Sequence, residues 1–380
     1  CHLVLARLPD GVPGTKGISL FMVPKVIPDA DGTLGARNAL KVVSLEHKLG
    51  LNGSPTAVMQ YDGAKGWLVG EKHKGMAAMF TMMNNARLGV GVQGISVAEA
   101  AFQQALAYAM DRKQGKTPLG SGAIIDHADV RRMLLRAKSY VEGGLALCLY
   151  AARLVDEAKS GGAVAAESQA LVDLLTPIVK AWPSDYAQEA NSIAIQVHGG
   201  AGYTRDFPVE RLWRENRINA IHEGTNGIQA MDLLGRKLLG DGGRAFVLLS
   251  ARVETTLAAA RSDDALGPLA DILAMRWANF APAMQAAGAA ARTDMDLALA
   301  NAYLLLDAMG HAVVAWLWLD QALTASRLVT DARGPRLSLL QGKIAAAHYF
   351  ITWELPAKDA QLVRFTALDP FCRDLHPDLL

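Results

Sequence analysis

The spacing of apolar residues changes once along this chain, and that change limits the fold more than any other feature. Over the first 70 or so positions, short apolar runs (Leu3–Leu8, Ile18–Val23, Lys41–Leu45, Ala57–Tyr61 and Trp67–Val69) alternate with turn-rich pieces such as Pro9-Asp10-Gly11 and Pro28-Asp29-Ala30-Asp31-Gly32. Short runs bounded by Gly, Pro and Asp predict antiparallel β structure. From about Lys74 the chain turns to Ala, Leu, Met and Gln, with apolar residues returning every three or four positions. That period predicts helix as far as the last residues. The expected fold is mainly α, with a partial antiparallel β domain at the N-terminus.

The helical part reads as segments over Met76–Lys113, Asp126–Ser160, Ala166–His198, Val209–Arg214 and Thr225–Leu239, with a Gly-, Pro- and Ser-rich loop at Gly115–Gly122. Pro177 and Pro183 are expected to kink or interrupt the third, because each removes a backbone donor. About four more helices follow: Ala245–Arg261, Pro268–Ala290, Asp294–Thr330 and Arg336–Leu355. Gly240-Asp241-Gly242-Gly243 marks the expected boundary between a bundle over 75–240 and a helical extension over 241–380, with 1–74 as the β part.

Composition removes several function classes. Thirty-eight Lys plus Arg against thirty-seven Asp plus Glu leave a net charge of +1, which carries no footprint for nucleic acid or an anionic membrane. Apolar runs such as Ala312–Leu319 fall short of the ~20 residues that span a bilayer, so no membrane span is expected. Three scattered cysteines (Cys1, Cys148 and Cys372) suit neither a disulfide framework nor a metal site. At 51% apolar residues, the chain is expected to be soluble and core-forming, from a reducing compartment. It opens on Cys1 within a strand-like run, which predicts a fragment lacking its N-terminal part and leaves targeting unreadable.

Two segments carry residues suited to chemistry. In Gln196-Val197-His198-Gly199-Gly200-Ala201-Gly202-Tyr203, a glycine at a helix end is either a plain C-cap or a place where backbone N–H groups approach a phosphate or ring. No strand precedes the cluster, so it is not a dinucleotide fingerprint. In Ile221-His222-Glu223-Gly224-Thr225-Asn226-Gly227-Ile228-Gln229, Thr225 suits a helix cap. Glu223 reads either as a surface carboxylate near a helix start or as a general base in a crevice. His311 and His348 sit in apolar helices and read as core or interface residues, and Trp316 and Trp318 as packing. Met76, Met79, Met82 and Met83 suit core filling or a flexible acyl pocket.

Taken in order, these segments resemble the acyl-CoA dehydrogenase family. The resemblance rests on Glu-Gly-Thr then Ile-Gln, about 25 residues after Gln-x-x-Gly-Gly-x-Gly-Tyr, with Pro208-Val209-Glu210-Arg211-Leu212-Trp213-Arg214 linking them. Upstream, Asn85-Ala86-Arg87-Leu88-Gly89-Val90 leads a helix ending Tyr108-Ala109-Met110-Asp111-Arg112-Lys113-Gln114-Gly115. Residues 1–240 look like the rear of the family's β domain and its second helical domain. Residues 241–380 look like the extension of its longer members, among which the bacterial 3-methylmercaptopropionyl-CoA dehydrogenase type is most similar.

The resemblance implies a flavoprotein of fatty acid metabolism, an FAD-dependent dehydrogenase that converts an acyl-CoA thioester to a trans-2-enoyl-CoA. Glu223 would take the α-proton while hydride leaves the β-carbon for the flavin. Asn84, Asn85 and Ala86, where some members carry the base on the earlier helix, cannot serve. By the same matching, Arg112 would contact the flavin phosphate or adenine of a neighbouring subunit; a helix C-terminal cation is the plain alternative. Gln196, Val197, His198, Gly199 and Gly200 would line the adenosine-diphosphate end, with Thr225, Asn226 and Gly227 near the phosphates. Asn84, Arg87 and Gly224 would face the substrate. His222, where the family often has Tyr, is either a titrating neighbour of the base or a polar wall residue. Implied partners are an electron-transferring flavoprotein and further copies in a homodimer or homotetramer, in a bacterial cytoplasm, without nucleic acid. An acyl-CoA oxidase and a non-enzymatic flavoprotein of the same fold are the alternatives.

Overall fold

The computed structural model describes residues 1–380 except Asn84 and Asn85, so the expected substrate contact Asn84 lies outside the described residues. Two compact units divide the chain, Cys1–Ala86 and Arg87–Leu380.

In the first unit, β1 (His2–Arg7), β2 (Ile18–Val23) and β7 (Trp67–Val69) form an antiparallel sheet in the order β1-β2-β7. Its register runs from His2 opposite Val23 to Arg7 opposite Ile18. The remaining strands make two antiparallel hairpins, β3 (Val26–Pro28) with β4 (Leu34–Arg37) and β5 (Leu40–Leu45) with β6 (Ala57–Tyr61). The β3–β4 pair was missing from the expected strands. Buried Asn38 ties the unit together by donating to the Pro24 and Lys65 carbonyls and accepting from the Ala39 and Lys65 amides. Met76, Met79 and Met83 are half-buried and Met82 is exposed, so none of the four fills a core.

The second unit is helical: α1 (Gly75–Asp111) enters it at Arg87, followed by α2 (Ala128–Lys159), α3 (Ala165–His198), α4 (Val209–Asn216) and α5 (Asn226–Met231). A π-helical stretch over Asp232–Leu239 continues α5, where one α-helix over Thr225–Leu239 was expected. After the glycine-rich turn come α6 (Arg244–Arg261), α7 (Gly267–Trp277), α8 (Phe280–Ala291), α9 (Met295–Leu299), α10 (Ala302–Val329), α11 (Gly334–Tyr349), α12 (Asp359–Thr366) and α13 (Phe371–Asp374). The expected single helices over 268–290 and 294–330 are each broken, at Asn279 and near Asn301.

Pro177 and Pro183 do not interrupt α3, which runs unbroken for 34 residues. Proline at 183 cannot donate to the Val179 carbonyl one turn earlier. That carbonyl faces Gly91 of α1, where a Cβ would lie only 2.2 Å from the oxygen. A close helix contact thus covers the group that the proline leaves without its usual donor.

The main core runs through α2, α3, α6, α10 and α11. Glycines set its tightest spacings: a Cβ on Gly310 would sit 2.6 Å from Trp182 Cδ1, and one on Gly143 equally near Trp318 Nε1. Gly310→Ala is expected to destabilise the protein by about 1–3 kcal/mol through overpacking. The urea midpoint measures this; an unchanged midpoint would show that Trp182 yields freely. Trp316 and Trp318 are core residues whose indole N–H groups donate to Thr256 Oγ1 and the Ser139 carbonyl. His311 is fully buried and accepts from Trp182 Nε1, whereas His348 is exposed on α11, not in the core.

By length and composition α10 could cross a membrane, contrary to the expectation drawn from its shorter apolar run; 89% of its most apolar window is buried inside the protein. Cys148 is buried, its thiol pushed up to about 12 by desolvation, and Cys1 and Cys372 are exposed and free. No metal-binding cluster of His, Cys, Asp or Glu occurs among the described residues.

Candidate active site

Helix α3 carries two groups of functional side chains, and Lys180 and Gln196 mark their positions along it. Sixteen residues at 1.5 Å each place them roughly 24 Å apart along the helix axis.

The first group surrounds the turn that precedes α5. Glu223 has a left-handed backbone (φ 55°) and Gly224 follows with φ 86°. For a residue with a Cβ, that conformation costs about 1–2 kcal/mol. Gly224 must be glycine for a second reason, because a Cβ there would lie 2.7 Å from Gln229 Nε2. Gln229 holds the strained turn from inside, donating to the carbonyls of Glu223 (3.4 Å) and Gly224 (3.2 Å). Thr225 caps α5 by accepting from the Ile228 amide, as its residue type predicts. The Asn226 side chain turns inward, donating to Ser184 Oγ (3.0 Å) and the Ala181 carbonyl (3.4 Å). Thr225 and Gly227 remain exposed.

Beneath this turn lie two cations. Arg87 and Asp232 form an ion pair at 3.1 Å, with only 5% and 4% of their side chains exposed. Arg236 completes the carboxylate from the solvent side at 2.7 Å. Lys180 is 0% exposed and donates to Asn226 Oδ1 at 2.9 Å. Desolvation lowers its ammonium to about 8, with Asp185 and Glu223 opposing that drop and Arg87 adding to it. Two buried polar atoms here, Arg87 Nε and Gln229 Oε1, have no hydrogen-bond partner among the described residues, as suits a pocket that receives a polar ligand.

Glu223 itself is half-buried. Beside it, His222 Nε2 donates to Asn219 Oδ1 (3.1 Å), and the chain of amides continues through Asn216 to Asn191. Burial lowers the His222 imidazole below its usual range, the Glu223 charge opposing this. A neutral ring fixed by amides fits the polar-wall reading better than that of a residue titrating near neutrality.

The second group forms where α1 and α3 end together. Tyr108 stacks on His198 with ring centroids 4.4 Å apart, and Phe207 packs edge-on against both. His198 also bonds the Ala194 carbonyl at 2.7 Å, so its side chain and that of Val197 belong to the core. Arg112, Gln196, Gly199 and Gly200 are exposed around this aromatic joint. A Cβ would meet nothing within 4 Å at Gly199 or Gly200, whereas at Gly202 it would strike the Ile195 carbonyl at 2.6 Å. The first two glycines are therefore open to a ligand and the third is a packing glycine.

Lys180, Asp232 and the asparagine chain lie outside the motifs that the sequence points to. The one available signal was a lone cation in the otherwise apolar run Leu174-Leu175-Thr176-Pro177-Ile178-Val179-Lys180-Ala181-Trp182.

The chain belongs to the acyl-CoA dehydrogenase family. The model of the acyl-CoA dehydrogenase C-terminal domain matches residues 73–239, and that of the acetyl-CoA dehydrogenase C-terminal-like domain matches residues 249–376. The 3-methylmercaptopropionyl-CoA dehydrogenase of Ruegeria pomeroyi is 43% identical over 373 residues, covering 96% of this chain and 63% of that protein. The broad-specificity linear acyl-CoA dehydrogenase FadE5 of Mycobacterium tuberculosis is 34% identical over 378 residues, 93% of this chain and 62% of that protein. The chain thus spans about three fifths of the length of these relatives. Among solved structures, Caenorhabditis elegans ACDH-11 in complex with C11-CoA shares the fold at a TM-score of 0.77 and 23% identity, over 97% of this chain and 60% of that one. A Bacillus anthracis acyl-CoA dehydrogenase complexed with FAD does so at 0.71 and 21%, over 97% and 61%.

Proposed function

We propose that the full-length protein dehydrogenates an acyl-CoA thioester to the trans-2-enoyl-CoA, with Glu223 as the base, FAD as the hydride acceptor and an electron-transferring flavoprotein as the next carrier. The observation that carries this reading is the strained turn. It presents a carboxylate and an adjacent backbone N–H from one residue, Glu223, whose φ of 55° is held by Gln229 and Asn226.

The chemistry needs both groups. A thioester α-proton is only weakly acidic, so the carbonyl oxygen must receive hydrogen bonds as enolate character develops. The reading assigns one of these to the Glu223 N–H, while the carboxylate takes the proton. When bound, the flavin accepts the β-hydride, and the carbon–carbon double bond forms as both hydrogens leave. Arg87 and Gly224 shape the substrate side, where the unpartnered Arg87 Nε awaits an acceptor.

The residues at the second group fit the adenosine-diphosphate end of a flavin: two open glycines, an exposed glutamine amide and a cation in Arg112. Their separation along α3 from the Glu223 turn favours service to a neighbouring subunit's flavin, which makes a homodimer or homotetramer part of the proposal. Thr225 and Gly227 offer hydroxyl and backbone toward phosphate, while the inward Asn226 supports them from below. In this reading 1–74 is the rear of a β domain, 75–240 the flavin- and substrate-binding bundle, and 241–380 a helical extension.

Anaerobic titration of the full-length flavoprotein with straight-chain acyl-CoAs from butyryl to palmitoyl tests the reading. Stoichiometric flavin bleaching with formation of the 2-enoyl product is expected for at least one chain length. A flavin that stays oxidised throughout overturns it, and peroxide release in air without another acceptor selects an oxidase.

A further inference from the structure

The left-handed Glu223 is a strained residue, and such a conformation persists only when its surroundings over-determine it. We propose that Lys180 is a positioning residue for Glu223: its fully buried ammonium, bonded to Asn226, fastens the 223–226 turn to α3 and so holds the carboxylate and N–H of Glu223 where the substrate needs them. This rests on the reading of Glu223 as the base.

Packing alone does not call for a cation at this position. A buried ammonium is costly, and a methionine of similar length would fill the same space without that cost. What the ammonium provides is a charge-assisted hydrogen bond to Asn226 Oδ1 (2.9 Å), about twice as strong as one between neutral groups. Asn226 passes the constraint on through Ser184 and the Ala181 carbonyl, so the turn is pinned to α3 at three points. The charged groups around the lysine come from each neighbouring element. Asp185 lies on its own helix, bonded to Tyr303 of α10, and Arg87 of α1 is neutralised by Asp232. Glu223 and the neutral His222 lie on the turn itself. Desolvation brings the ammonium to about 8, so the charge-assisted bond is largely present at neutral pH and weakens as pH rises through that value.

The test uses full-length holoenzyme and the straight-chain acyl-CoA that bleaches the wild-type flavin most readily. Wild-type kcat is expected to fall above about pH 8. Lys180→Met should lower kcat at pH 7 roughly 10–100-fold, as for loss of a hydrogen bond to a charged group, and its profile should be flat through the alkaline range. KM and flavin content should move far less than kcat. Lys180→Arg, which stays charged, should shift the alkaline fall upward by at least a unit. Should Lys180→Met fail to fold, Asn226→Ala keeps the lysine but cuts its link to the turn, and it too should lose the alkaline fall. A wild-type-shaped profile in these variants, whether at full or uniformly reduced activity, overturns the proposal. A Glu223→Gln enzyme run in parallel separates the two readings. If it turns over normally, the base assignment has failed; if it is dead while Lys180→Met keeps the wild-type profile, only the role of Lys180 has.

Discussion

Glu223→Gln in the full-length protein is expected to bind flavin and acyl-CoA as the wild type does and to lose turnover by roughly 10²–10⁴-fold, the contribution of a positioned general base. The carboxamide matches the carboxylate in size and leaves the Glu223 N–H, the Gln229 bonds and the Asn226 anchor in place. The variant therefore removes proton acceptance and little else. His222 is poorly placed to substitute, since one ring nitrogen is committed to Asn219. Flavin absorbance, acyl-CoA titration and the rate of anaerobic bleaching together measure the outcome. Bleaching at the wild-type rate would remove Glu223 from the mechanism.

The second large effect concerns the ion pair beneath the turn. Breaking a buried pair by removing one partner costs about 3–5 kcal/mol, because the other charge is stranded. The two single substitutions should differ. Arg87→Leu leaves Asp232 with Arg236, which already contacts it at 2.7 Å and reaches solvent, so the cost should fall near the lower end. Asp232→Leu strands Arg87 beside Lys180, a like charge, and should cost more. The double variant Arg87→Met/Asp232→Leu should regain most of the stability, as apolar replacement of a whole buried pair often does. It should not regain activity, because an Arg87 nitrogen lies 3.7 Å from the Cβ position of Gly224. Chemical denaturation and turnover on the three variants measure this; a double variant as unstable as Asp232→Leu would show that the pair does more than neutralise itself.

How much of this was legible in the sequence depends on the range of the interaction involved. The strands β1, β2, β5, β6 and β7 and the long helices α1 to α3 follow from local period and turn residues. The β3–β4 hairpin did not, because Pro28 ends one arm and the other is only four residues long. The break near Asn301 carries no Gly or Pro, and an Ala- and Leu-rich run looks helical straight across it; the one at Asn279 does have a signal in Pro282, which cannot donate to the Ala278 carbonyl one turn earlier. At the site, Glu223, Gly224 and Arg87 were readable as members of short motifs. Lys180 and Asp232 were not: Asp232 meets Arg87 from 145 positions away, and Lys180 meets Asn226 from 46. No local pattern announces such a partner. Proline at 183 misled for a related reason, since the carbonyl it leaves without a donor is covered by Gly91 of another helix.

The burial of α10 has a consequence for how the chain is made. Its most apolar stretch is, once folded, 89% buried. Much of that cover is α11 and α12, which leave the ribosome later. At 5–20 residues per second, the 37 residues from Thr330 to Thr366 take roughly 2–7 s to synthesise. For that interval a stretch with the composition of a membrane span stands partly bare. The helices α2 and α3, made earlier and also packed on α10, are the cover available to it in that interval.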